Sequence, residues 1–277
     1  MSSKNNPTFS FWESQRGAIK SRKGGWRIGH GVFSHGYDMM NELVGHKTYF
    51  QVMVLNATGK MVDKYMTDWM EAVYICLSWP DPRIWCNQIG ALGGTMRSSV
   101  VAATSAGIMA GDSKLYGQKT LIEGARFIRQ ALFLYNEGVS VSDIVEDECN
   151  KYRGKPYITG YARPIAKGDE RVVALERFSR ELGISPGEHL LLARKISDYM
   201  VDRFGESINV NGYCTAVMSD FGFSPEDIYR ISTLLMASGI TACHLDTLAR
   251  PPEAFLPLRC DDIDYQGPAP KEVPGKK

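Results

Sequence analysis

Apolar residues recur at intervals of three and four along most of this sequence, which is the spacing that places them on one face of an α-helix. The clearest stripe begins at Val62 and predicts a helix of about five turns with one face against a core. Trp79-Pro80-Asp81-Pro82 ends that helix, because proline donates no backbone hydrogen bond and disfavours helix in the residue before it. No segment alternates convincingly with the period of two that strands require. The sequence therefore predicts an all-α fold. The apolar members of the stripe are Val62, Tyr65, Met66, Trp69, Val73, Cys76 and Leu77.

Short polar residues mark the starts of later helices. Thr120-Leu-Ile-Glu123 and Ser140-Val-Ser-Asp143 have the spacing of capping boxes, in which side chains satisfy the first free backbone N–H groups. Ser185-Pro186 and Ser224-Pro225 each place a serine at the N-cap and a proline in the first turn. Each of these four segments therefore predicts the start of a helix.

The composition is that of an ordinary globular protein. The chain has 277 residues, which suits one compact unit or two lobes. Hydrophobic residues make up 44% and charged residues 23%, which excludes the disordered class. The net charge is +1 and both signs are interspersed, so the sequence lacks the basic footprint of a nucleic-acid-binding protein. We expect small neutral or anionic molecules as partners, and no nucleic acid.

Cysteine usage and the N-terminal segment indicate the compartment. The six cysteines include no Cys-x-x-Cys pair, so the sequence predicts neither a metal site nor a disulfide framework. Residues 1–34 are rich in Gly, Lys and Arg and predict a loop or a short strand pair. They contain no apolar secretion signal, and no window reaches the ~18 apolar residues of a membrane span. We expect a soluble, cytoplasmic protein without membrane contact or a tightly bound cofactor.

One segment is irregular although the chain is predicted to be helical on both sides of it. Residues 156–171, called the signature loop below, contain two prolines, two glycines and two arginines. A loop of this composition between amphipathic helices is a better candidate for a functional site than for core. Its Gly160-Tyr-Ala-Arg-Pro-Ile165 and Asp169-Glu-Arg171 resemble the Gly-Phe-Gly-His-Pro-Val to Asp-Pro-Arg signature of the citrate synthase and citryl-CoA lyase superfamily.

Four further segments are similar to the same superfamily. Residues 36–43 resemble its Arg-Gly-Tyr-x-Ile-x-Glu-Leu segment, with His35 in place of the arginine. Residues 83–99 resemble its run from Arg-Ile-Trp to Gly-Thr-Ala-Arg-Ser-Thr. Residues 208–213 resemble the segment that contains Asn-Val-Asp-Gly, and residues 256–268 resemble the closing Arg-Pro-x-x-x-Tyr-x-Gly-Pro. The resemblance thus extends over most of residues 36–268.

This resemblance implies an all-α, citrate synthase-like, two-lobed homodimer. Residues 1–115 and 212–268 would form a large lobe, residues 116–211 a small lobe, and residues 269–277 a flexible tail. The small side chains of 98–111 let another backbone approach closely. In a citrate synthase such helices pack at the dimer interface, whereas a tightly packed internal helix is the alternative.

The positions that carry the chemistry of the superfamily are all substituted. There, an aspartate moves a proton at the carbon beside a CoA thioester, and two histidines polarise the thioester carbonyl and the electrophilic ketone. This chain has Asn211, Tyr116 and Arg163 at the matching positions. Asparagine accepts no proton at neutral pH, and arginine is a poor acid or base because its pKa exceeds ~12. The substitutions argue against the standard citrate synthase reaction and leave these three residues as the candidate catalytic contacts.

The resemblance also implies binding residues. Arg171, and Arg259 supplied across the dimer, suit bidentate binding of a substrate carboxylate. The position of the superfamily's third arginine falls near Ala237, so this chain lacks that arginine. The loss suggests a substrate with fewer carboxylates than citrate. His35 is a further candidate contact, and a local hydrogen bond is its alternative role. The residues implied to bind coenzyme A are Thr159, Gly160, Tyr161 and Ala162, through their backbone near the adenine, and Lys167, at a phosphate.

Two functions remain open from the sequence. The first is an enzyme that forms or breaks a carbon–carbon bond, or does related chemistry, next to the thioester of an acyl-CoA substrate. The second is a catalytically inactive relative that binds CoA esters or serves as a partner subunit. His244 and Cys214 are expected to be core residues and Asp261 and Asp262 ordinary surface acids, although each is a candidate for replacement chemistry.

Overall fold

The computed structural model describes residues 7–17, 19–163 and 168–275. Its described residues form twelve α-helices and one small antiparallel sheet. The helices are α1 Pro7–Gln15, α2 Tyr49–Thr58, α3 Lys64–Cys76, α4 Trp85–Thr95, α5 Val100–Gly111, α6 Gln118–Asn136, α7 Val141–Asn150, α8 Glu170–Glu181, α9 Glu188–Phe204, α10 Val210–Asp220, α11 Pro225–Ile231 and α12 Ala237–Leu248. The predicted all-α class is confirmed.

The strands lie near the N-terminus, where the sequence predicted a loop or a short strand pair. They are β1 Gly24–Arg27, β2 Gly31–Ser34 and β3 Tyr37–Asp38, and they pair in the order β1-β2-β3. Trp26 lies opposite Val32, and Phe33 opposite Asp38. A π-helical turn, Met39–Leu43, follows the sheet, and Asp38 caps it by accepting from the N–H groups of its first turn. Helix α1 was not predicted, because its sequence lacks a clear apolar stripe.

The chain divides into two compact units. The first comprises the residues up to Trp79 and Gly111–Met236, and the second comprises Pro80–Ala110 and the residues from Ala237 onward. The lobe boundaries expected at residues 116 and 211 stay a prediction. Among the described residues, no helix combines the length and the apolar character needed to cross a bilayer.

The core of the first unit is built around the predicted stripe of α3. Trp69 is fully buried, and its indole N–H donates to Ser179 Oγ of α8 at 2.9 Å. Ser179 Oγ also lies 2.9 Å from the hydroxyl of Tyr213 in α10. The indole N–H of Trp69 and the hydroxyl of Tyr213 therefore both have a hydrogen-bond partner, as buried polar groups require. The contacts join α3, α8 and α10 into one packed layer.

Two of the four predicted helix starts are confirmed. Ser140 and Ser224 are N-caps, and each accepts from the backbone N–H three residues later. The other two predictions are wrong. Helix α6 begins at Gln118, because Thr120 donates its hydroxyl to the carbonyl of Gly117 instead of capping the helix. Helix α9 begins at Glu188, because a carboxylate from α10 rather than Ser185 caps it.

That carboxylate belongs to Asp220, the last residue of α10. Its oxygens accept from the backbone N–H groups of Gly187, His189 and Leu190 at 3.0, 3.0 and 3.1 Å. A negative charge at a helix N-terminus is favourable because three of the free N–H groups point toward it. Asp220 thereby fixes the start of α9 to the end of α10.

Close backbone approach organises the second unit. A Cβ added to Gly90 of α4 would lie 2.8 Å from Ile240 Cγ2 of α12, and one added to Gly107 of α5 would lie 2.9 Å from the carbonyl oxygen of Cys86. Neither position has room for a side chain. The prediction that residues 98–111 allow close backbone approach is thus confirmed, with α4 as the neighbour within the chain.

Candidate functional site

The described part of the signature loop is attached to the segment that leads into α10. Tyr161 and Ile208 form an isolated antiparallel bridge. The N–H of Ala162 donates to the Ser207 carbonyl at 2.9 Å, and the N–H of Asn209 donates to the Gly160 carbonyl at 3.0 Å. The Asn209 side chain also donates to the Ala162 carbonyl at 2.6 Å. These bonds bring the loop beside Asn211.

Two glycines make this approach possible. Gly160 has a φ of +99°, and a Cβ on it would lie 2.7 Å from the Cα of Gly212. A Cβ on Gly212 would in turn overlap the carbonyl oxygen of Gly160. Ala162, two residues after Gly160, has a φ of +69°. This left-handed backbone conformation costs a non-glycine residue of order 1 kcal/mol. The backbone N–H of Ala162 donates to Ser207 and its carbonyl accepts from Asn209, and these two bonds hold it in this conformation.

Asp169 links the far end of the loop to α10. Its side chain is fully buried, and its Oδ1 and Oδ2 each accept from Arg171, at 2.7 Å from Nε and 2.7 Å from Nη2. Oδ2 also accepts from the backbone N–H of Val210 at 2.8 Å, and Oδ1 from the N–H of Arg171 at 3.1 Å. Burial raises the pKa of this carboxyl, but the Arg171 guanidinium and the N–H donors outweigh burial and hold the pKa below its usual value.

Arg163 occupies the position of a histidine in the superfamily signature. Its side chain is 9% exposed. It donates two hydrogen bonds to Glu170, from Nη1 to Oε2 at 2.5 Å and from Nη2 to Oε1 at 3.2 Å. Its Nη1 lies 3.8 Å from Asp169 Oδ1. The hydrogen bond from Arg163 lowers the pKa of Glu170. The loop thus presents an arginine–glutamate pair beside the buried Asp169–Arg171 pair.

Asn211 lies in the first turn of α10. Its Nδ2 donates to the hydroxyl oxygen of Thr120 at 2.8 Å, and Thr120 donates onward to the Gly117 carbonyl. Because the hydroxyl proton is committed to Gly117, the amide must present Nδ2 to Thr120, which leaves Oδ1 facing Gly124 and Gly160. Oδ1 is buried and has no hydrogen-bond partner within the described ranges.

Tyr116 lies two residues before α6 and is held in a turn with Ser113. Its backbone carbonyl accepts from the N–H of Ser113 at 3.2 Å, and its N–H donates to Ser113 Oγ at 3.1 Å. The turn places Tyr116 directly before Gly117, whose carbonyl accepts from Thr120. Asp169 links Arg163 to the turn of α10 that carries Asn211, and Tyr116 adjoins Gly117, which Thr120 links to Asn211.

Solved structures match the fold of this chain over most of its length. Citryl-CoA lyase from Hydrogenobacter thermophilus superposes with a TM-score of 0.76, covering 92% of this chain and 97% of that one at 23% identity. The chain has the citrate synthase fold. ATP citrate lyase from Methanothrix soehngenii, in complex with citrate and coenzyme A, matches with a TM-score of 0.73 at 18% identity, and covers 100% of this chain and 46% of that one.

A citrate synthase itself is also among the matches. The enzyme from Thermoplasma acidophilum, in a ternary complex with carboxymethyl coenzyme A and oxaloacetate, gives a TM-score of 0.61 at 18% identity over 82% of this chain and 58% of that one. No protein-family profile and no curated protein sequence matches the chain. The citrate synthase fold is therefore detectable through structure although the sequences have diverged widely.

Within this citrate synthase fold, the residues implied to bind coenzyme A are partly engaged by the protein. The side chain of Tyr161 is 5% exposed and its hydroxyl donates to the Ala193 carbonyl at 3.2 Å, so burial raises its pKa and only its backbone is available to a ligand. Thr159 and Gly160 precede it in the same turn. Lys167 lies outside the described residues.

The other two residues implied to contact substrate, His35 and Arg259, have local contacts. His35 follows β2 with a φ of +50°, its Nδ1 is 3.3 Å from Ser34 Oγ, and its buried Nε2 has no partner in the described part of the chain. Arg259 belongs to the second unit, where it is exposed and its backbone N–H donates to Asp262 at 2.8 Å. The contacts described above do not connect either residue to the signature loop.

The remaining candidates fit their expected structural roles. His244 is 1% exposed, and its Nε2 lies 3.0 Å from the Ser98 carbonyl within the second unit. Cys214 is 2% exposed, and burial raises the pKa of its thiol, which opposes thiolate chemistry. Asp261 and Asp262 are exposed. No group of three metal-ligating side chains occurs among the residues that the structure describes.

Proposed function

We propose that this protein is an enzyme of the citrate synthase superfamily that binds a CoA thioester and forms or breaks a bond beside it. The observation that carries the proposal is the attachment of the signature loop to α10, which links Arg163 through Asp169 to the turn that carries Asn211. A protein that retained the fold without the site would not require the strained backbone of Ala162 or the close contact between Gly160 and Gly212. The similarity to a citryl-CoA lyase supports carbon–carbon bond cleavage or formation as the reaction class.

The side chains support a non-standard version of that chemistry. An enolate or alkoxide oxygen needs hydrogen-bond donors, and Arg163 and the hydroxyl of Tyr116 are the donors proposed here. Asn211 is proposed as a substrate contact, although its Nδ2 is committed to Thr120. Arg171 uses the N–H of Nε and one N–H of Nη2 on Asp169, so the carboxylate that it is proposed to bind would use Nη1 and the second N–H of Nη2. A substrate with few carboxylates fits this reduced capacity.

The alternative is a catalytically inactive, CoA-ester-binding relative or partner subunit. The observation in its favour is Asn211, because an amide cannot accept the proton that the superfamily's aspartate removes, and its Oδ1 is enclosed by Gly124 and Gly160. The enzyme and the CoA-ester-binding relative both predict that a CoA ester binds, whereas a partner subunit does not require it. The first two differ in whether the protons beside the thioester are exchanged.

Binding is the first test of either reading. Thermal unfolding should be followed with free coenzyme A, a series of acyl-CoA esters, and dicarboxylates. A ligand at a hundred times its dissociation constant adds about 2.7 kcal/mol to the free energy of unfolding, so one ester should raise the melting temperature visibly. Arg163→Ala should reduce that shift, whereas Arg177→Ala, which removes an exposed arginine of α8, should leave it unchanged. If no ester and no free coenzyme A shifts the transition, the proposed binding function is wrong.

We also propose that the protein is a homodimer and that α5 lies at the interface. Helix α5 contains no charged residue, yet much of its surface is exposed in the single chain. Val101 is 72% and Met109 77% exposed, and Ala102, Ala106 and Ala110 are exposed beside them. An uncharged helical face of small residues is suited to close packing against a second copy. We further propose a cytoplasmic location, on the scattered cysteine pattern of the sequence.

A charge on that face should separate the copies. We expect Val101→Asp to convert the dimer to a monomer, because the interface would have to bury an unpaired carboxylate. Val173→Asp is the matched control, because Val173 of α8 is a similarly exposed valine at 68%. Light scattering after gel filtration measures the mass of both variants. A monomeric wild type, or a Val101→Asp variant that remains dimeric, would contradict the assignment of α5.

A further inference from the structure

We infer that Glu170 is the general base that removes a proton from the carbon beside the thioester, in place of the aspartate that Asn211 replaces. The inference rests on the enzymatic function proposed above and supplies the group that this function lacks. The superfamily signature has proline at this position, so the carboxylate is a feature of this chain's own sequence.

Glu170 combines access with fixed orientation. It opens α8, and its side chain is 61% exposed, whereas the adjacent Asp169 side chain is fully buried. Arg163 holds both of its oxygens from the protein side, at 2.5 and 3.2 Å. A carboxylate has about four lone-pair sites, so two remain for a substrate after the two bonds from Arg163. Glu170 is thus a positioned base that a ligand can reach.

The neighbouring groups cannot take this role as the structure has them. Asp169 spends its oxygens on Arg171 and on the N–H of Val210, and it is closed to solvent. Asn211 has no acidic or basic form near neutral pH. Cys214 is a buried thiol. The Asp169 bond to Val210 ties Glu170 to the first turn of α10, which is the turn that carries the missing aspartate in the superfamily.

The proposed step moves one proton and one electron pair. The bond between the α-carbon and its hydrogen breaks, and the proton passes to a carboxylate oxygen of Glu170. The electron pair enters the bond between the α-carbon and the thioester carbon, and the carbonyl oxygen takes the negative charge, which the Tyr116 hydroxyl stabilises by donating a hydrogen bond. In the direction of bond cleavage the same carboxylic acid returns the proton to the enolate carbon.

A structural role for Glu170 predicts different behaviour. A glutamate in the first turn of a helix stabilises the N-terminus, and its pair with Arg163 would hold the loop without any chemistry. Glu170→Gln would then change stability and ligand binding but not proton exchange at saturating ligand. A base predicts the opposite pattern, with unchanged affinity and slowed exchange. The exchange rate of bound substrate therefore separates the two roles.

The test uses the full-length protein with acetyl-CoA and propionyl-CoA in heavy water, and mass spectrometry measures deuterium entering the acyl group. We expect Glu170→Gln to slow exchange by about 10²- to 10⁴-fold, the usual contribution of a general base. Glu181→Gln is the matched control, because Glu181 lies on the same α8, is also 61% exposed and also pairs with an arginine, Arg177. It should exchange at the wild-type rate.

A second variant, Arg163→Gln, gives a readout that does not depend on whether Glu170→Gln folds. Arg163 lowers the pKa of Glu170, so the wild-type exchange rate should stay level as pH falls until below the usual glutamate value. Arg163→Gln removes the largest cause of that lowering and should move the fall in rate to higher pH. If wild type and Glu170→Gln exchange equally, the base assignment is wrong while the proposed function stands. If wild type binds the esters without exchange, the enzymatic function itself fails.

Discussion

Replacing Asp169 with alanine is expected to lower the free energy of unfolding by about 3 to 5 kcal/mol, which is the cost of removing one partner from a buried ion pair. The Asp169 side chain is fully buried, and the Arg171 side chain is only 22% exposed. Without the carboxylate, the guanidinium and the N–H of Val210 would lose their partners while remaining inside the protein. The effect should appear in urea unfolding as a lower midpoint.

The contribution of the Asp169 carboxylate to the free energy of unfolding should depend on pH and be lost in acid. Its pKa in the folded protein lies below the value of about 3.9 in an unfolded chain, so the ionised form is bound more tightly in the native state. The stabilisation is therefore fully present above the unfolded pKa and is lost as pH falls through the folded pKa. The difference between wild type and Asp169→Asn should stay constant from about pH 5 upward and shrink below about pH 4.

An exposed ion pair serves as the control for this prediction. Lys64 holds Asp68 in α3 with two bonds of 2.7 Å, but its side chain is 65% exposed. Surface pairs contribute only about 0 to 1 kcal/mol, so Asp68→Asn should have a small effect. Equal effects of the two substitutions would mean that burial of Asp169 does not determine its contribution.

The fold could be predicted from the sequence because its signals are local. The stripe around Trp69 has the helical period, and Ser140 and Ser224 cap the helices that follow them directly. The prediction at Ser185 failed because Asp220, distant in sequence, takes the N–H groups of α9. The prediction at Thr120 failed because its hydroxyl serves Gly117 and Asn211. No periodicity or spacing reports such tertiary hydrogen bonds.

The candidate site was predictable only as a set of positions. The resemblance of the signature loop pointed to Arg163 and that of residues 208–213 pointed to Asn211, and the structure brings these two segments together. The sequence did not indicate that Asp169 is the buried centre of the network, because neighbouring letters do not show which carboxylate turns inward. Glu170 was overlooked for the same reason. The signal available in the sequence was an acidic residue in the place of the signature proline. Only the structure shows that Arg163 binds both oxygens of this residue.

Replacing Gly212 with alanine is expected to separate the signature loop from α10. The new Cβ would overlap the Gly160 carbonyl oxygen and lie 2.9 Å from Ile208 Cγ1. That carbonyl also accepts from the N–H of Asn209, so it cannot move away without breaking the bond that joins the loop to α10. Alanine gains up to about 1 kcal/mol of helix propensity over glycine, but overpacking of backbone costs about 1 to 3 kcal/mol or more. We expect a net loss of about 2 kcal/mol.

The functional consequence should exceed the loss of stability. Arg163, Glu170 and Asn211 keep their mutual positions only while the loop lies against α10, so Gly212→Ala should abolish the ester-dependent rise in melting temperature even where the protein remains folded. Gly25→Ala is the control, because a Cβ there meets nothing within 4 Å and the position has no left-handed φ. Unchanged ester binding by a folded Gly212→Ala protein would show that the ligand does not need this junction, and that the site lies elsewhere in the citrate synthase fold.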